Sequence, residues 1–355
     1  MTATPYVSFV TYGRNDGYTE SYAGRASRAM QSLVTQLERA AIDSEIVFVE
    51  WNPPSDRPFL FDQFELPGDR RHVSVRAYIA PPEYHHGHPG AAETGFFATE
   101  AANAGIRRAR GRFVTPKASD SFFSPDVFKM IARHDLDADC MYRIDRHDIV
   151  VDDESMWSLP EDELMAKITS LPSSPHAWID QSPHWELRDL HTNACGDFTL
   201  MSGAYWQYLR GHPRSSVLSL DIDSLVLHAA AGLGVSERRW PESCRVYKPV
   251  HGRLHSERLK QQWRPWQRRL DRFLSEKVND KAAHWARTTF DYPRRKVRGV
   301  DSLLGPSIEK NFVYPASRWA KGEKPVPTQP ENWGLGDVDL DSRVLCRAAW
   351  DTAAP

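Results

Sequence analysis

Two unbroken apolar runs constrain this chain most. Tyr6-Val7-Ser8-Phe9-Val10-Thr11-Tyr12 and Glu45-Ile46-Val47-Phe48-Val49-Glu50-Trp51-Asn52 are rich in β-branched and aromatic residues. A strand that is apolar throughout is buried on both faces, the mark of a parallel sheet covered by helices. Between them, the stretch from Tyr22 to Ala41 carries Ala26, Met30, Leu33, Val34 and Leu37 at helical spacing. Strand, helix, strand at this separation is a βαβ unit, and its crossover makes the two strands parallel. The expected fold class is α/β, with a mostly parallel central sheet flanked by helices.

The pattern continues along the chain. Val73 to Ile79 reads as a third strand, Phe96 to Arg110 as a helix, and Arg112 to Thr115 as a fourth strand. In that helix Ala101, Ala102, Ile106 and Ala109 face inward, and Gly111 stands where a C′ glycine would close it. The fourth strand delivers Lys117-Ala118-Ser119-Asp120, and Ser124-Pro125-Asp126 has the form of a cap followed by a proline helix start. Further strands are expected at Cys140–Asp145, Asp197–Met201 and from Val246. Shorter helices are expected at Asp126–Ala132, Ala204–Leu209 and Ser224–Ala231, and a loop-helix excursion between Asp152 and Pro183.

Beyond about residue 255 the composition shifts. Basic residues from Arg258 to Arg287 alternate with Trp263, Trp266 and Trp285, and a Pro-rich tail follows from Glu323 to Pro330. This divides the chain into a main α/β unit over 1–255 and, over 256–355, a basic, Trp-rich helical extension and tail packed on the core. The basic helix is a candidate for peripheral contact with an anionic membrane face. A net charge of -2 over 355 residues gives no general reason to expect nucleic acid. The four cysteines form no CxxC pair, which suits a reducing compartment. With no leader-like N-terminus and no run of about 18 apolar residues, the expected location is cytoplasmic, with the inner membrane face as a peripheral site.

Four polar features follow strands: Thr11 to Asp16, Glu50 to Asn52, Asp120, and the pair Asp221 and Asp223. Parallel strands end on one side of a sheet, so these gather along one edge, where α/β proteins bind ligands. Several carboxylates there suggest a cleft for a hydroxyl-rich or metal-bound ligand. His85, His86 and His88 lie in a Pro/Gly loop without a matching Cys/His cluster, which reads as a solvated or acceptor-side loop and not as a zinc site. Asp145 and Asp148 read as members of ion pairs.

The chain resembles GT-A-fold glycosyltransferases of the family-2 type. The residues that carry the likeness are Val7 to Asp16, Glu45 to Asn52, Asn103 to Val114, and Asp221-Ile222-Asp223-Ser224-Leu225 followed by Gly232. The resemblance covers about residues 5 to 255. It implies a Rossmann-like GT-A core and transfer of a sugar from a UDP- or GDP-linked donor to a hydroxyl acceptor, which would be a saccharide, a lipid-linked sugar or a small molecule. It also implies inversion by direct displacement. Thr11, Tyr12, Arg14, Asp16, Glu50, Asn103, Arg107, Ser119 and Asp120 would then meet the nucleotide-sugar, and Asp197 and Trp206 the acceptor. Asp223 or Asp221 would be the base; on a helix start the two point ~200° apart, so one alone would face the cleft.

One departure stands out. The family's metal site carries Asp-x-Asp, and here Lys117 stands where the first Asp would be. The resemblance still implies Mn²⁺ or Mg²⁺, held by Asp120 and His251 with waters completing the shell. Lys248 or Arg253 would instead offset the diphosphate charge without a metal. Two other readings of the chain are a non-catalytic nucleotide-sugar-binding protein of the same fold and a sugar nucleotidyltransferase. The second lacks its Gly-rich basic loop after the first strand.

Overall fold

The structure is a computed structural model and describes residues 4–17, 19, 21–66, 70–88, 91, 94–175, 188–193, 195–213, 222–249 and 314–351. In chain order its elements are β1 (Val7–Gly13), α1 (Tyr22–Arg39), β2 (Ser44–Trp51), β3 (Val73–Ala80), α2 (Pro82–His86), α3 (Ala98–Arg108), β4 (Phe113–Ala118), β5 (Phe122–Phe123) and α4 (Pro125–Ile131). Next come β6 (Cys140–Arg143), β7 (Asp145–Ile149), α5 (Glu161–Ser170), β8 (Ser173–Pro175), β9 (Met201–Ser202), α6 (Gly203–Leu209), α7 (Ile222–Gly232), β10 (Ser236–Arg239) and β11 (Arg245–Pro249). The described chain closes with α8 (Tyr314–Ala320) and β12 (Ser342–Cys346).

Among the described residues the central sheet has six strands in the order β12-β3-β2-β1-β4-β9. The four inner strands are mutually parallel, and β12 and β9 pair antiparallel at the edges. The unbroken apolar runs are the reason: every residue of β2 is buried. One face packs on α1 and α4 through Phe9, Leu33, Leu37, Phe48 and Phe113. The other packs on α3, α6 and α7 through Val10, Val47, Ile106, Trp206 and Leu227. Burying each large apolar side chain contributes roughly 1.5–3 kcal/mol. The fold is therefore the expected α/β sheet flanked by helices.

The register sets the site. Gly13 lies opposite Glu50, and Tyr12 opposite Ala118, so β1, β2 and β4 release their loops at a common edge. β4 runs on through Pro116 and Lys117, past the expected end at Thr115. Pro116 is tolerated because β9 pairs only with Phe113 and Val114, leaving that side of Pro116 outside the ladder. A second sheet of order β5-β11-β7-β8 lies alongside. In it Tyr247 pairs antiparallel with Phe122, which carries Lys248 to the level of Ser121, next to Asp120.

Several local readings need correction. Gly111 does not close α3 in a left-handed conformation. The helix ends at Arg108, and a Cβ on Gly111 would meet Ser8 Oγ at 2.4 Å and its backbone N at 2.5 Å. Glycine is required there for a close approach to β1, where Ser8 Oγ accepts from Gly111 N at 2.7 Å and donates to Glu45 at 2.7 Å. Ser124 starts α4 with Pro125 at its first turn, but its hydroxyl donates to Ser243 O and accepts from Arg245 N, so it holds β11 and does not cap the helix. The strand expected over Asp197–Met201 is only β9, Met201–Ser202.

The C-terminal segment belongs to the sheet. β12, from a stretch that reads as tail, covers the β3 edge, which would otherwise present unpaired backbone groups. Arg108 donates to the carbonyls of Gly334, Leu335 and Val338, and Arg110 reaches Asp351. α8 lies against α7. The basic helix expected at 259–286, its membrane contact included, lies outside the described residues. No helix among the described residues is long and apolar enough to cross a membrane.

Candidate active site at the carboxyl edge of the sheet

A cavity of about 470 Å³ opens at the ends of β1 and β4. Its walls include Tyr12, Arg14 and Asp16 from the loop after β1, Gly95 and Phe96 from the loop before α3, and Ser119, Asp120 and Lys248 at its floor. The first loop is fixed from below. Glu50, fully buried at the end of β2, accepts from the backbone N–H groups of Leu60 (2.9 Å), Asn15 (3.3 Å) and Phe61 (3.4 Å). Burial pushes its carboxyl up to about 7 despite those three donors. The second loop is pinned by Arg14 and Asn52, both donating to Gly95 O. Arg14 also lies 3.4 Å from Asp16. Tyr12 and Phe96 face each other with ring centroids 6.1 Å apart, an aromatic wall on one side.

The floor is basic. Asp120 is 2% exposed. Lys248 donates to its Oδ1, and Arg25 Nε from α1 lies 4.0 Å from its Oδ2. Ser119 and Tyr22 share a hydrogen bond of 2.7 Å beside it. Lys117 is buried under this floor, donating to Ala118 O at 2.7 Å with its ammonium 5.9 Å from the Phe123 ring. Burial, and then the charge of Lys248, lower Lys117 to about 7, opposed by Asp120 and Asp197.

Two carboxylates, Asp197 and Asp223, act on the hydroxyl of the wall residue Tyr12. Asp197 is paired with Arg146 at 3.1 Å, and Arg146 also holds Asp148 at 2.8 Å. Asp223, at the start of α7, accepts from Ser224 N at 3.0 Å. The turn at Gly196 passes so close that a Cβ there would lie 2.7 Å from Asp223 Oδ2. Burial raises the Asp223 carboxyl above its ordinary range; Cys195 and the Ser224 N–H lower it and Asp197 raises it. The Tyr12 hydroxyl, on the cavity wall, is raised by burial and then by both carboxylates. Arg143, fully buried, donates to His191 O, Thr199 Oγ1 and Asn193 O and so fixes the segment that carries Asp197.

The expected site residues divide accordingly. Tyr12, Arg14, Asp16, Ser119 and Asp120 line the cavity. Thr11 is buried within the sheet beside it, between Phe48 and Lys117. Glu50 supports the loops from beneath and does not line the cavity. Asn103 does not line the cavity: its amide donates to His212 O (3.0 Å) and accepts from His212 N (2.7 Å). Arg107 donates to Glu331 O and stacks 5.3 Å from the Trp333 ring, so it serves the C-terminal segment. Trp206 is fully buried, its indole donating to Val114 O at 2.9 Å, and is a core residue between α6 and β4. Asp221 and His251 lie outside the described residues.

Sequence reasoning did not single out Tyr22, Arg25, Phe96, Arg143 or Arg146. Arg143 sits in a run that reads as an ordinary strand, and Arg25 in a helix whose apolar face dominates. His85 accepts from the Trp51 indole at 3.1 Å, and His88 lies over Phe97 with ring centroids 4.1 Å apart, so two of the three loop histidines pack into the protein. Among the described residues no three His, Cys, Asp or Glu side chains gather where they could hold a metal ion. Asp145, read as an ion-pair residue, does pair with His191 at 3.1 Å.

No protein-family model and no curated protein matches this chain. Among solved structures it is similar to Staphylococcus aureus TarS. A TarS 1–349 complex with UDP-GlcNAc shares 13% identity over 87% of this chain and 79% of that one, with a TM-score of 0.40. A TarS 1–349 complex with UDP shares 15% identity over 88% and 87%, also at 0.40. The longer TarS structure shares 14% identity over 88% and 53%, at 0.38.

Proposed function

We propose that the chain is a glycosyltransferase that takes a sugar from a nucleoside-diphosphate donor and passes it to a hydroxyl acceptor. The observation that carries this reading is the order of groups along the carboxyl edge. An aromatic wall at Tyr12 and Phe96 suits a flat base, and a basic floor at Lys248 and Arg25 suits a diphosphate. A carboxylate of raised basicity, Asp223, is near enough to Tyr12 to raise its hydroxyl.

In this reading the acceptor hydroxyl approaches the donor's anomeric carbon from the Asp223 side. Asp223 takes the hydroxyl proton as the new bond forms, and the nucleoside diphosphate leaves toward the floor. Attack opposite the leaving group inverts the anomeric centre. Positioned general-base catalysis of this kind contributes about 10²–10⁴-fold. A raised carboxyl pKa suits it, because a stronger base drives proton transfer further. Asp197 cannot serve as well, since Arg146 already claims its charge. Arg14 and Asp16 would contact the nucleoside from the loop after β1.

The test is turnover of a panel of UDP- and GDP-linked sugars, with sugar transfer or slow donor hydrolysis as the readout. Neither transfer nor hydrolysis with any donor that binds would favour the non-catalytic binding protein.

A further inference from the structure

We infer that the donor's diphosphate is held directly by side-chain cations, with Lys248 as its partner, and that no divalent ion is needed at Asp120. This rests on the donor reading above and departs from the Mn²⁺ or Mg²⁺ that the sequence resemblance implies.

Among the described residues, three basic side chains, Arg25, Lys117 and Lys248, lie near the carboxylate Asp120 at the floor. Arg25 and Lys117 are 4% and 1% exposed. Hard divalent ions take six or more oxygen ligands, and protein sites for them supply carboxylates. Here Asp120 Oδ1 already accepts from Lys248, and Arg25 stands 4.0 Å from Oδ2. A divalent cation would have to displace Lys248 and sit against Arg25 in a poorly screened site. Like charges that close repel strongly when water is excluded. The residue standing where the resemblance has a first metal-binding Asp is Lys117, which adds to the repulsion.

The same arrangement suits an anion. Lys248 and Arg25 both stand against Asp120, and Lys248 lines the cavity with part of its surface open. An ammonium carries three donors. One is spent on Asp120 Oδ1, which leaves the others for phosphate oxygens, and Asp120 acts as the positioning residue that aims them. As the bond from the anomeric carbon to the diphosphate oxygen breaks, its electron pair goes to that oxygen. The negative charge grows beside Lys248, while the acceptor's proton goes to Asp223. Atoms and charge balance with no further reactant.

Calorimetric titration with UDP, GDP and inorganic pyrophosphate, in EDTA and again with Mn²⁺, tests this. The expected result is binding of at least one probe in EDTA with no gain from Mn²⁺. Lys248→Met should weaken it about tenfold to a hundredfold, the worth of a hydrogen bond to a charged group, and Lys248→Arg should retain it. Asp120→Asn separates the two accounts, because it should keep or tighten binding in EDTA, whereas the loss of a metal ligand would abolish binding that depends on Mn²⁺. Should Lys248→Met unfold the chain, the double variant Asp120→Asn, Lys248→Met reads the same loss with the carboxylate charge removed as well. Binding only with Mn²⁺, abolition by Asp120→Asn, or full binding by Lys248→Met would overturn the inference and leave the donor reading standing. Failure of all three probes in both conditions would remove both.

Discussion

Lys248 and Asp120 stand 128 positions apart in sequence and form a hydrogen-bonded ion pair at the cavity floor. The pair joins the loop after β4 to β11, and so couples the central sheet to the second one. Losing Lys248 removes the hydrogen-bonded partner of Asp120 and leaves Arg25, 4.0 Å away, as a remaining charge beside it, so the cost is below the roughly 3–5 kcal/mol of a fully stranded charge. Lys248→Met alone is therefore expected to lower the melting temperature markedly, and Asp120→Asn added to it should restore most of the loss. Equal melting temperatures for wild type and Lys248→Met would mean that the pair does not exist in solution.

Asn103 gives a prediction of opposite kind. Its amide satisfies both backbone groups of His212. Gln329 also donates to His212 O, so Asn103→Leu should cost about 1–3 kcal/mol for the His212 N–H left unsatisfied. Denaturant unfolding would read that loss, while nucleotide affinity should not change. A variant of native stability with weakened nucleotide binding would return Asn103 to the donor site.

Glu50 makes stability depend on pH. Its carboxyl is raised to about 7 in the folded chain, against an ordinary 4.5 unfolded. Between those values the folded state holds a proton that the unfolded state has released. Its contribution is thus fully present below the unfolded value and is lost as pH rises through about 7, at a slope of at most about 1.4 kcal/mol per pH unit. Glu50→Gln should flatten the melting temperature across this window. An unchanged slope would show that Glu50 titrates normally.

The C-terminal strand predicts what truncation does. Ending the chain at residue 337 removes β12, bares the β3 edge and takes Val338 O from Arg108. An exposed parallel-sheet edge invites pairing between chains. Gel filtration should show association, with a lower melting temperature. A monomeric truncation of full stability would show that β12 is dispensable.

How far the sequence could be read depended on the range of the contacts. Strands β1 and β2 announce themselves because both faces are buried, and α1 because its apolar residues recur at helical spacing. Tyr12, Arg14, Asp16, Ser119 and Asp120 follow from strand ends in a parallel sheet, a purely topological consequence. What escaped were partners set by tertiary packing. Asn103 and Arg107 face the wrong way because α3 turns that side to His212 and the C-terminal segment. Trp206, a polar-tipped aromatic near the expected acceptor side, finds its partner at Val114 O inside the core. Lys248 was legible only as one of two basic residues near a strand end, since its meeting with Asp120 depends on the β5–β11 register. β12 was hidden because a short edge strand with polar neighbours has no run of its own.

The central claim is that Asp223 removes the acceptor proton beside a bound nucleotide-sugar. The most direct measurement compares wild type and Asp223→Asn for sugar transfer from the donor that binds, across pH and with donor affinity measured in parallel. The account predicts a rate that rises with pH through the raised Asp223 pKa in wild type, a loss of about 10²-fold or more in Asp223→Asn, and unchanged donor affinity. Equal rates for the two proteins, with the same pH profile, would contradict it.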